Sequence, residues 1–394
     1  MRILITCVAG YGHLHPLLPI ARALADAGHD IAIATNGEIR ARSEAAGFTT
    51  FAAGISLDEA YARVARTYPA EDYNRVAPDA ILDWWLPHLF CEIIAPAMLD
   101  DLEPLADSWR PDLILHETYE LAGPIVAARL GIPSVSHTLG LRPGGHTLAL
   151  AAVAVAPLWS RRGLLPDPAA GLYRHLCLDI MPPGLQADSP TPYPPGAIQP
   201  LRPVSSPPLP GERLPEWLDK RRHAPLIYMT LGTNTNSDIA MFQSVRDGLR
   251  DLAIDVLMTL GTGRDPKPLG TLAPNIHVAD FVPQSLLLPH CALVICHAGA
   301  GTTLGALAEG LPLLVLPQGA DQYLIAECIV STGAGIRLAP AAVTPASVRA
   351  GVRALLGHPR YASAAQRIQR QIAAMPAPEA VVAHIEMVAA SPSC

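Results

Sequence analysis

The chain has 394 residues, half of them hydrophobic, and it carries a formal net charge of −7. So much apolar material excludes a disordered chain, and the acidic balance lacks the basic excess expected of a nucleic-acid-binding protein. The length predicts two or three domains with sizeable cores. We therefore expect a multidomain globular protein that does not bind nucleic acid.

The cysteines and the apolar segments indicate the cellular compartment to expect. The seven cysteines are scattered and include no C-x-x-C pair, so they indicate neither a zinc site nor a redox dithiol and favour a reducing cytoplasm. The first ten residues are typical of a buried strand that enters a loop, not of a cleavable signal peptide. The longest apolar stretch, at 147–158, is too short for a membrane span, which needs about 20 residues.

The first half alternates between predicted strands and helices. A strand at 2–8 runs into a loop with two glycines, and an amphipathic helix at 16–27 follows it. The elements predicted after these are strands at 31–35, 112–116 and 133–137 and a helix at 121–130 that ends at Gly131. This alternation predicts a doubly wound parallel sheet.

A proline-rich segment separates the two halves. Residues 182–215 contain twelve prolines, which disfavour helix interiors and central strands and favour an extended connection. The strand pattern then restarts, with predicted strands at 226–231, 255–260, 292–297 and 311–317 and helices at 361–374 and 379–389. The second half is therefore predicted to be a doubly wound α/β domain as well.

These patterns predict the domain boundaries. We expect an N-terminal domain at 1–200, a linker at 201–215, a C-terminal domain at 216–375 and a last helix at 376–394 that packs back on the N-terminal domain. Two such domains that face each other would place the carboxyl ends of both sheets at one cleft. Open α/β sheets bind their ligands at that end.

The segment CHAGAGTTLGALAEGLPLLVLPQGADQ at 296–322 carries the strongest chemical signal. A predicted strand ends at His297, the glycines at 299 and 301 permit close approach of a ligand, and Thr302 opens a predicted helix. Free amides at a positive helix end suit a diphosphate, and Thr302 and His297 can both donate to it. The loop fits neither G-K-[ST] nor G-x-G-x-x-G. A tight glycine turn without a ligand is the alternative.

Five motifs occur in one order along the chain. They are GxGHxxP at 10–16, FVPQ at 281–284, HAGxGT at 297–302, DQ at 321–322 and AMPxP at 374–378. Together they resemble the family 1 glycosyltransferases, which have two facing Rossmann-like domains in the GT-B fold. More narrowly, the chain is similar to the bacterial enzymes that glycosylate antibiotics and other secondary metabolites.

The resemblance implies which residues bind the nucleotide-sugar donor. In that family the FVPQ segment stacks on the nucleobase, so Phe281 would supply the ring, Val282 would pair with the base and Gln284 would lie near the pentose. The DQ pair would bind hydroxyls of the sugar. The donor-binding residues expected from the motifs and from the second glycine loop are Gly12, Gly232, Thr233, Phe281, Val282, Gln284, His297, Gly299, Gly301, Thr302, Asp321 and Gln322.

One departure from the family pattern concerns the nucleoside. UDP-sugar enzymes of this family have a glutamate eight residues after the motif histidine, where it accepts hydrogen bonds from the ribose hydroxyls. This chain has Gly305 at that position, which favours a dTDP-sugar over a UDP-sugar. Glu309 lies one helical turn further on and weakens this inference.

The resemblance makes His13 the general base for the acceptor hydroxyl, a role that suits imidazole because its pKa lies near neutral pH. The family pairs this histidine with an acidic residue, commonly Asp, and Glu117 occupies the matching position. His15 is interpreted as structural. No third metal ligand follows the His13-x-His15 spacing and the sequence contains no D-x-D, so neither a metal nor another cofactor is predicted.

Apolar surface in the first half is the predicted acceptor wall. The residues expected to line it are Trp84, Trp85, Phe90 and His137, although such residues also build ordinary cores. The predicted partners are a dTDP- or UDP-sugar and a small hydrophobic acceptor such as a polyketide, enediyne, macrolide or phenolic. A homodimer is left open.

The motifs therefore predict an inverting, metal-independent glycosyltransferase. Three alternatives remain at this point: a UDP-sugar transferase, a sugar-nucleotide epimerase of the same fold, and a noncatalytic partner that activates another glycosyltransferase. A nicotinamide oxidoreductase is disfavoured because neither glycine loop fits the dinucleotide fingerprint.

Overall fold

The computed structural model describes residues 1–70, 72, 75–77, 80–186, 197–221, 224–232 and 238–390. The chain divides into two compact units. The described residues of Met1–Met181, Ala187–Arg202 and Met375–Cys394 form the first unit, and those of Pro182–Gln186 and Pro203–Ala374 form the second.

The first unit is built on a seven-stranded parallel sheet with the strand order β3-β2-β1-β4-β5-β6-β7. Its strands are β1 (Arg2–Thr6), β2 (Asp30–Thr35), β3 (Thr49–Ala52), β4 (Leu113–Glu117), β5 (Ser134–His137), β6 (Leu176–Asp179) and β7 (Ile198–Pro200). Thr6 on β1 pairs with His116 on β4. The loops that follow these two central strands therefore emerge side by side at the carboxyl edge of the sheet.

Helices cover the first sheet, whose central strands β1, β4 and β5 are almost entirely buried. They are Tyr11–Leu14, Leu18–Asp26, Glu38–Ala45, Leu57–Thr67, Ile81–Trp85, Ala95–Trp109, Gly123–Leu130, Gly145–Ser160 and Pro378–Ala390, with a π-helical segment at Leu86–Ile94 and a 3₁₀ turn at His15–Leu17. The helix expected to end at Gly131 does so, with that glycine in the left-handed region at φ 68°.

The second unit contains a six-stranded parallel sheet with the order β10-β9-β8-β11-β12-β13. Its strands are β8 (Leu226–Thr230), β9 (Asp255–Thr259), β10 (Ile276–Ala279), β11 (Leu293–Cys296), β12 (Leu313–Val315) and β13 (Gly335–Arg337). Its helices are Ile239–Leu249, Gln284–Leu287, Ala300–Ala308, Gln322–Thr332, Pro345–Gly357 and Pro359–Ala374, and its 3₁₀ turns are Pro183–Leu185, Glu216–Lys220, Lys267–Leu269, Leu288–His290 and Pro340–Ala342. The prediction of two doubly wound parallel-sheet domains is confirmed.

The boundary between the units differs from the predicted one, because the chain first enters the second unit before residue 200. Pro182–Gln186 belongs to the second unit, where the Gly184 amide donates to Oε1 of Gln371 at 2.9 Å. The chain thus enters the second unit, returns to the first to form the edge strand β7, and leaves it again. A proline-rich stretch alone does not reveal such a return, because an edge strand tolerates proline.

The predicted linker at 201–215 is also divided between the units. Arg202 stays in the first unit, and its amide donates to the carbonyl of Pro376 at 2.7 Å. The residues from Pro203 onward belong to the second unit. The terminal helix Pro378–Ala390 packs on helix Leu18–Asp26 of the first unit.

Six cysteines are free thiols in the described part of the chain. No single helix among the described residues is long and apolar enough to cross a membrane, and one pair of consecutive helices, Pro359–Ala374 with Pro378–Ala390, reaches that threshold only in combination. The cytoplasmic location stays a prediction.

Candidate active site

The first candidate centre lies where the loops after β1 and β4 meet. His13 lies in the helical turn Tyr11–Leu14, and its amide donates to the carbonyl of Gly10 at 3.0 Å. A Cβ atom at Gly10 would lie 2.9 Å from the His13 ring, so glycine is needed there to leave the imidazole in place. Gly12 is exposed in the same turn.

His13 is paired with Glu117. Its Nδ1 lies 2.9 Å from Oε1 of Glu117, whose side chain is fully buried. The carboxylate also accepts from the backbone amides of Val8 at 3.2 Å and Tyr119 at 2.6 Å. Because an ionised carboxylate only accepts, Nδ1 carries the proton and the lone pair of the neutral ring lies on Nε2. The structure thus brings the two predicted catalytic residues together at normal hydrogen-bond length, despite the longer side chain of Glu.

Further ionisable groups are buried behind this pair. The Glu120 carboxyl accepts from the Thr6 hydroxyl and from the amide of Ala122 at 2.7 Å, and burial raises its pKa to about 7. Burial lowers the pKa values of His116 and His137 to about 4, so both rings are neutral at pH 7. His137 is fully buried beside Glu117 in the sheet, so it lies in the interior rather than on the predicted acceptor wall.

Two aromatic rings lie next to His13. The centroid of Phe90 is 6.1 Å from that of His13, the centroid of Tyr119 is 5.9 Å away, and the two rings stack on each other at 4.9 Å. Phe90 was predicted for the acceptor wall, and it is carried by the π-helical segment Leu86–Ile94. Tyr119 was not predicted; its only signal is its position two residues after Glu117.

The two predicted tryptophans form a neighbouring cluster rather than contacting His13. Trp84 stacks on His88 with centroids 4.5 Å apart and meets Trp85 edge-on at 4.9 Å. Both tryptophans pack with Tyr68 against the apolar side of helix Leu57–Thr67. They belong to the same hydrophobic cluster as Phe90.

The second candidate centre follows β11. The chain leaves the strand at Cys296 and turns through Ala298, which has a left-handed φ of 67°. A non-glycine residue in that region is strained, and such strain is characteristic of functional loops. The turn directs the chain into helix Ala300–Ala308, whose N-cap residue, Gly299, has no side chain that could cap it. The amides of the first helical turn therefore have no intrahelical acceptors.

The His297 ring lies between two glycines. A Cβ atom added at Gly232 or at Gly299 would lie 2.7 Å from Cε1 of His297. Burial lowers the pKa of His297 to about 4, so the ring is neutral at pH 7. Gly301 differs, because it is exposed and, among the described residues, no neighbouring atom outside its own helix lies within 4 Å of a Cβ built there. The packing of the described residues therefore does not require glycine at 301.

The FVPQ segment presents one exposed ring. Phe281 is 45% exposed, whereas Val282 is buried in the core. Nε2 of Gln284 donates to Oγ1 of Thr302 at 2.9 Å. The structure thus joins two of the predicted donor-binding residues, from the FVPQ and HAGxGT motifs, to each other.

The DQ pair lies at the start of helix Gln322–Thr332. Oε1 of Gln322 accepts from the amides of Gln318 at 2.8 Å and Gly319 at 3.1 Å, so this oxygen holds its own loop. Asp321 is half-buried at the helix start. Ala320, directly before it, has a left-handed φ of 51°.

Two other predicted positions complete the second centre. Thr233 lies outside the described residues. A Cβ atom at Gly305 would lie 3.0 Å from Cδ1 of Leu288 and 3.3 Å from Oγ of Ser205, so these side chains occupy the space beside the glycine. Within the described ranges, no three His, Cys, Asp or Glu side chains converge as metal ligands would.

Family models match nearly the whole chain. The model described as "Erythromycin biosynthesis protein CIII-like, N-terminal domain" matches residues 22–232, and the corresponding C-terminal domain matches residues 243–388. The chain belongs to this family.

Named relatives and solved structures agree with the family. The chain is 31% identical to L-demethylnoviosyl transferase of Streptomyces niveus, covering 97% of this chain and 96% of the relative. It is 28% identical to 10-deoxymethynolide desosaminyltransferase of Streptomyces venezuelae, over 99% and 97%. The crystal structure of glycosyltransferase VinC in complex with dTDP aligns with a TM-score of 0.80, 26% identity and 99% coverage of both chains.

These findings confirm the predicted family, fold class and enzyme class. The protein is a natural-product glycosyltransferase of the GT-B fold, which transfers a sugar from a nucleotide donor to an aglycone.

Proposed function

We propose that this protein transfers a sugar from a dTDP-sugar to an aglycone hydroxyl in one inverting displacement, without a bound metal ion. The observation that carries the proposal is the His13–Glu117 pair, with Nδ1 bonded to a buried carboxylate at 2.9 Å. This pair leaves Nε2 as the proton acceptor and stabilises the imidazolium that forms when the ring takes a proton.

The proposed step balances as a single substitution. Nε2 of His13 removes the proton of the acceptor hydroxyl while the oxygen attacks the anomeric carbon. The bond from that carbon to the diphosphate oxygen breaks, and the diphosphate leaves with its electron pair. No enzyme nucleophile takes part, so an α-linked donor gives a β-glycoside. The imidazolium then releases its proton to solvent.

The second unit supplies groups for the leaving diphosphate. Helix Ala300–Ala308 begins without a side-chain cap, and its free amides and positive end suit the charge that develops on the diphosphate. The ring of His297 is neutral and can still donate from one nitrogen. These donors are the reason to propose a mechanism without a metal ion.

The preference for dTDP rests on the surroundings of Gly305. Leu288 and Ser205 occupy the space beside this glycine, and no carboxylate lies at the position where UDP-sugar enzymes of the resembled family have one. The relative VinC was crystallised with dTDP. A UDP-sugar remains the alternative, and tight selective binding of UDP would establish it.

Product analysis tests the proposal. The enzyme is incubated with dTDP-sugars and a panel of phenolic, polyketide and macrolide acceptors, and products are detected by mass spectrometry. We expect glycosylated acceptor, an anomeric configuration opposite to that of the donor in the NMR spectrum, and an undiminished rate in EDTA. Retention of the donor's configuration or loss of activity in EDTA would contradict the mechanism. Consumption of donor without glycosylated product would indicate an epimerase.

A further inference from the structure

A buried hydrogen-bond chain in the second unit connects the FVPQ segment with helix Ala300–Ala308. It runs from Thr259 at the end of β9, through Tyr228 on β8 and the amide of Gln284, to Thr302 in the first turn of that helix. The Tyr228 hydroxyl lies 3.0 Å from Oγ1 of Thr259 and 3.5 Å from Nε2 of Gln284. Nε2 of Gln284 lies 2.9 Å from Oγ1 of Thr302.

The chemistry of the Gln284 amide determines the direction of its two bonds. A side-chain NH₂ group donates two protons and accepts none, so Gln284 donates one proton to Thr302 and the other to Tyr228. The Tyr228 oxygen accepts the Gln284 proton, and the Tyr228 and Thr259 hydroxyls share a bond in which either oxygen can be the donor. The Thr302 oxygen is also an acceptor, so its hydroxyl proton remains available to a further acceptor.

Three of the four side chains in this hydrogen-bond chain are buried, so an unmade bond would destabilise the protein. Tyr228 is 2% exposed, Thr259 is 5% exposed and Thr302 is 8% exposed. Burial also raises the pKa of Tyr228, so its hydroxyl stays protonated and able to donate at neutral pH. A buried polar group that loses its partner is destabilised by more than the bond itself contributes. The Gln284 amide is therefore held in one orientation from both sides.

We propose that Tyr228 and Thr259 are positioning residues for donor binding, which hold the Gln284 amide so that the Thr302 hydroxyl proton points at the donor diphosphate. This inference rests on the proposed function, because it takes the diphosphate as the ligand of helix Ala300–Ala308. Tyr228 and Thr259 act through Gln284 and do not touch the nucleotide. Gln284 then orients a phosphate donor, whereas the family resemblance implied a contact near the pentose.

The test is calorimetric titration of the Tyr228→Phe variant, which removes one hydroxyl and keeps the ring. We expect the Kd for dTDP to rise about fivefold, the effect of one lost hydrogen bond. The affinity for thymidine, which has no diphosphate, is expected to stay unchanged. Thr259→Val should produce the same selective loss. Tyr361→Phe is the matched control, because the Tyr361 hydroxyl bonds to Arg360 and takes no part in the chain.

A double-mutant cycle and steady-state kinetics separate positioning from general destabilisation. In a Thr302→Val background, Tyr228→Phe should cause no further loss of dTDP affinity. In the wild-type background, Tyr228→Phe should raise the donor KM and leave kcat within about twofold, because an interaction made equally in the ground and transition states changes KM alone.

Three results would overturn the positioning role: an unchanged Kd for dTDP in both Tyr228→Phe and Thr259→Val, equal losses for dTDP and thymidine, or full additivity with Thr302→Val. The titrations are run with UDP and uridine in parallel. If UDP binds more tightly than dTDP, the nucleotide preference of the proposed function fails, and the positioning role is judged from UDP against uridine.

Discussion

The two units each place a histidine in a glycine-containing loop that follows a strand, but they surround it differently. Nδ1 of His13 is bonded to the buried carboxylate of Glu117, and Phe90 and Tyr119 pack beside the ring. His297 lies between two glycines, and burial lowers its pKa to about 4. A carboxylate partner makes an imidazole a better proton acceptor, whereas burial without one keeps it a neutral donor.

The backbone around the two histidines differs as well. The loop after β1 passes directly into the helical turn that carries His13. The loop after β11 needs the left-handed Ala298 before helix Ala300–Ala308 can begin, so the first amides of that helix emerge next to His297. Similar sequence patterns thus yield a carboxylate-paired histidine in one unit and a buried histidine beside an uncapped helix start in the other.

Glu117→Gln should have the largest effect on activity, because it removes the carboxylate that His13 has as a partner and His297 lacks. Glutamine keeps the size of the side chain but does not stabilise an imidazolium. We expect kcat to fall about a hundredfold or more, while the Kd for dTDP stays within twofold. Pre-steady-state and calorimetric measurements check these two outcomes. A wild-type kcat in this variant would contradict the role of the pair.

Gly299→Ala and Gly301→Ala should differ from each other. A Cβ atom at 299 meets the His297 ring, whereas one at 301 meets no neighbouring atom of the described residues outside its own helix. We expect Gly299→Ala to lower the free energy of unfolding by about 1 to 3 kcal/mol through overpacking and to weaken dTDP binding. Gly301→Ala should leave the free energy of unfolding almost unchanged and weaken dTDP binding only. Denaturant titration measures the free energy of unfolding of each variant, and calorimetry measures its affinity for dTDP. An equal loss of stability in both variants would contradict the placement of the His297 ring against Gly299.

Glu120→Gln should change the pH dependence of stability by a smaller amount. Burial raises the pKa of Glu120 from 4.5 to about 7, so between these values the folded protein holds a proton that the unfolded chain releases. The free energy of unfolding therefore falls as pH rises through this window, by at most about 1.4 kcal/mol per pH unit. The Glu120→Gln variant has no carboxyl group at this position, so its free energy of unfolding should lack this pH-dependent contribution.

Urea titrations from pH 5 to 8 check that prediction. The stability of Glu120→Gln relative to wild type should rise up to about pH 7 and then level off. The buried histidines contribute equally to both proteins and cancel in the difference. A difference that does not depend on pH would show that Glu120 titrates normally.

The sequence predicted the long apolar strands and the motif residues because both leave a local signal. The strands at β1, β4, β8, β9 and β11 were found within one or two residues of their observed ends. The strands β7 and β13 have three residues each and, unlike the equally short β12, do not lie within a longer run of large apolar residues, so no strand pattern is recognised there. The strand β7 also lies within the proline-rich segment at 182–215, whose composition disfavours a strand.

The missed features of the site depend on contacts between distant segments. Tyr119 reaches the His13 ring only because β1 and β4 are neighbours in the sheet. Gln284 and Thr302 are 18 residues apart and meet through the fold, and Tyr228 joins them from a third strand. The buried position of His137 follows from the packing of the sheet. None of these contacts has a spacing that a sequence pattern could reveal.

The division of roles between His13 and His297 is tested most directly by kcat and the Kd for dTDP in His13→Ala and His297→Ala, measured side by side. We expect His13→Ala to lose about a hundredfold or more in kcat and to bind dTDP as wild type does. We expect His297→Ala to raise the Kd for dTDP about tenfold, the effect of losing a hydrogen bond to a charged group. Wild-type turnover by His13→Ala, or loss of dTDP binding in that variant together with normal binding by His297→Ala, would contradict this account.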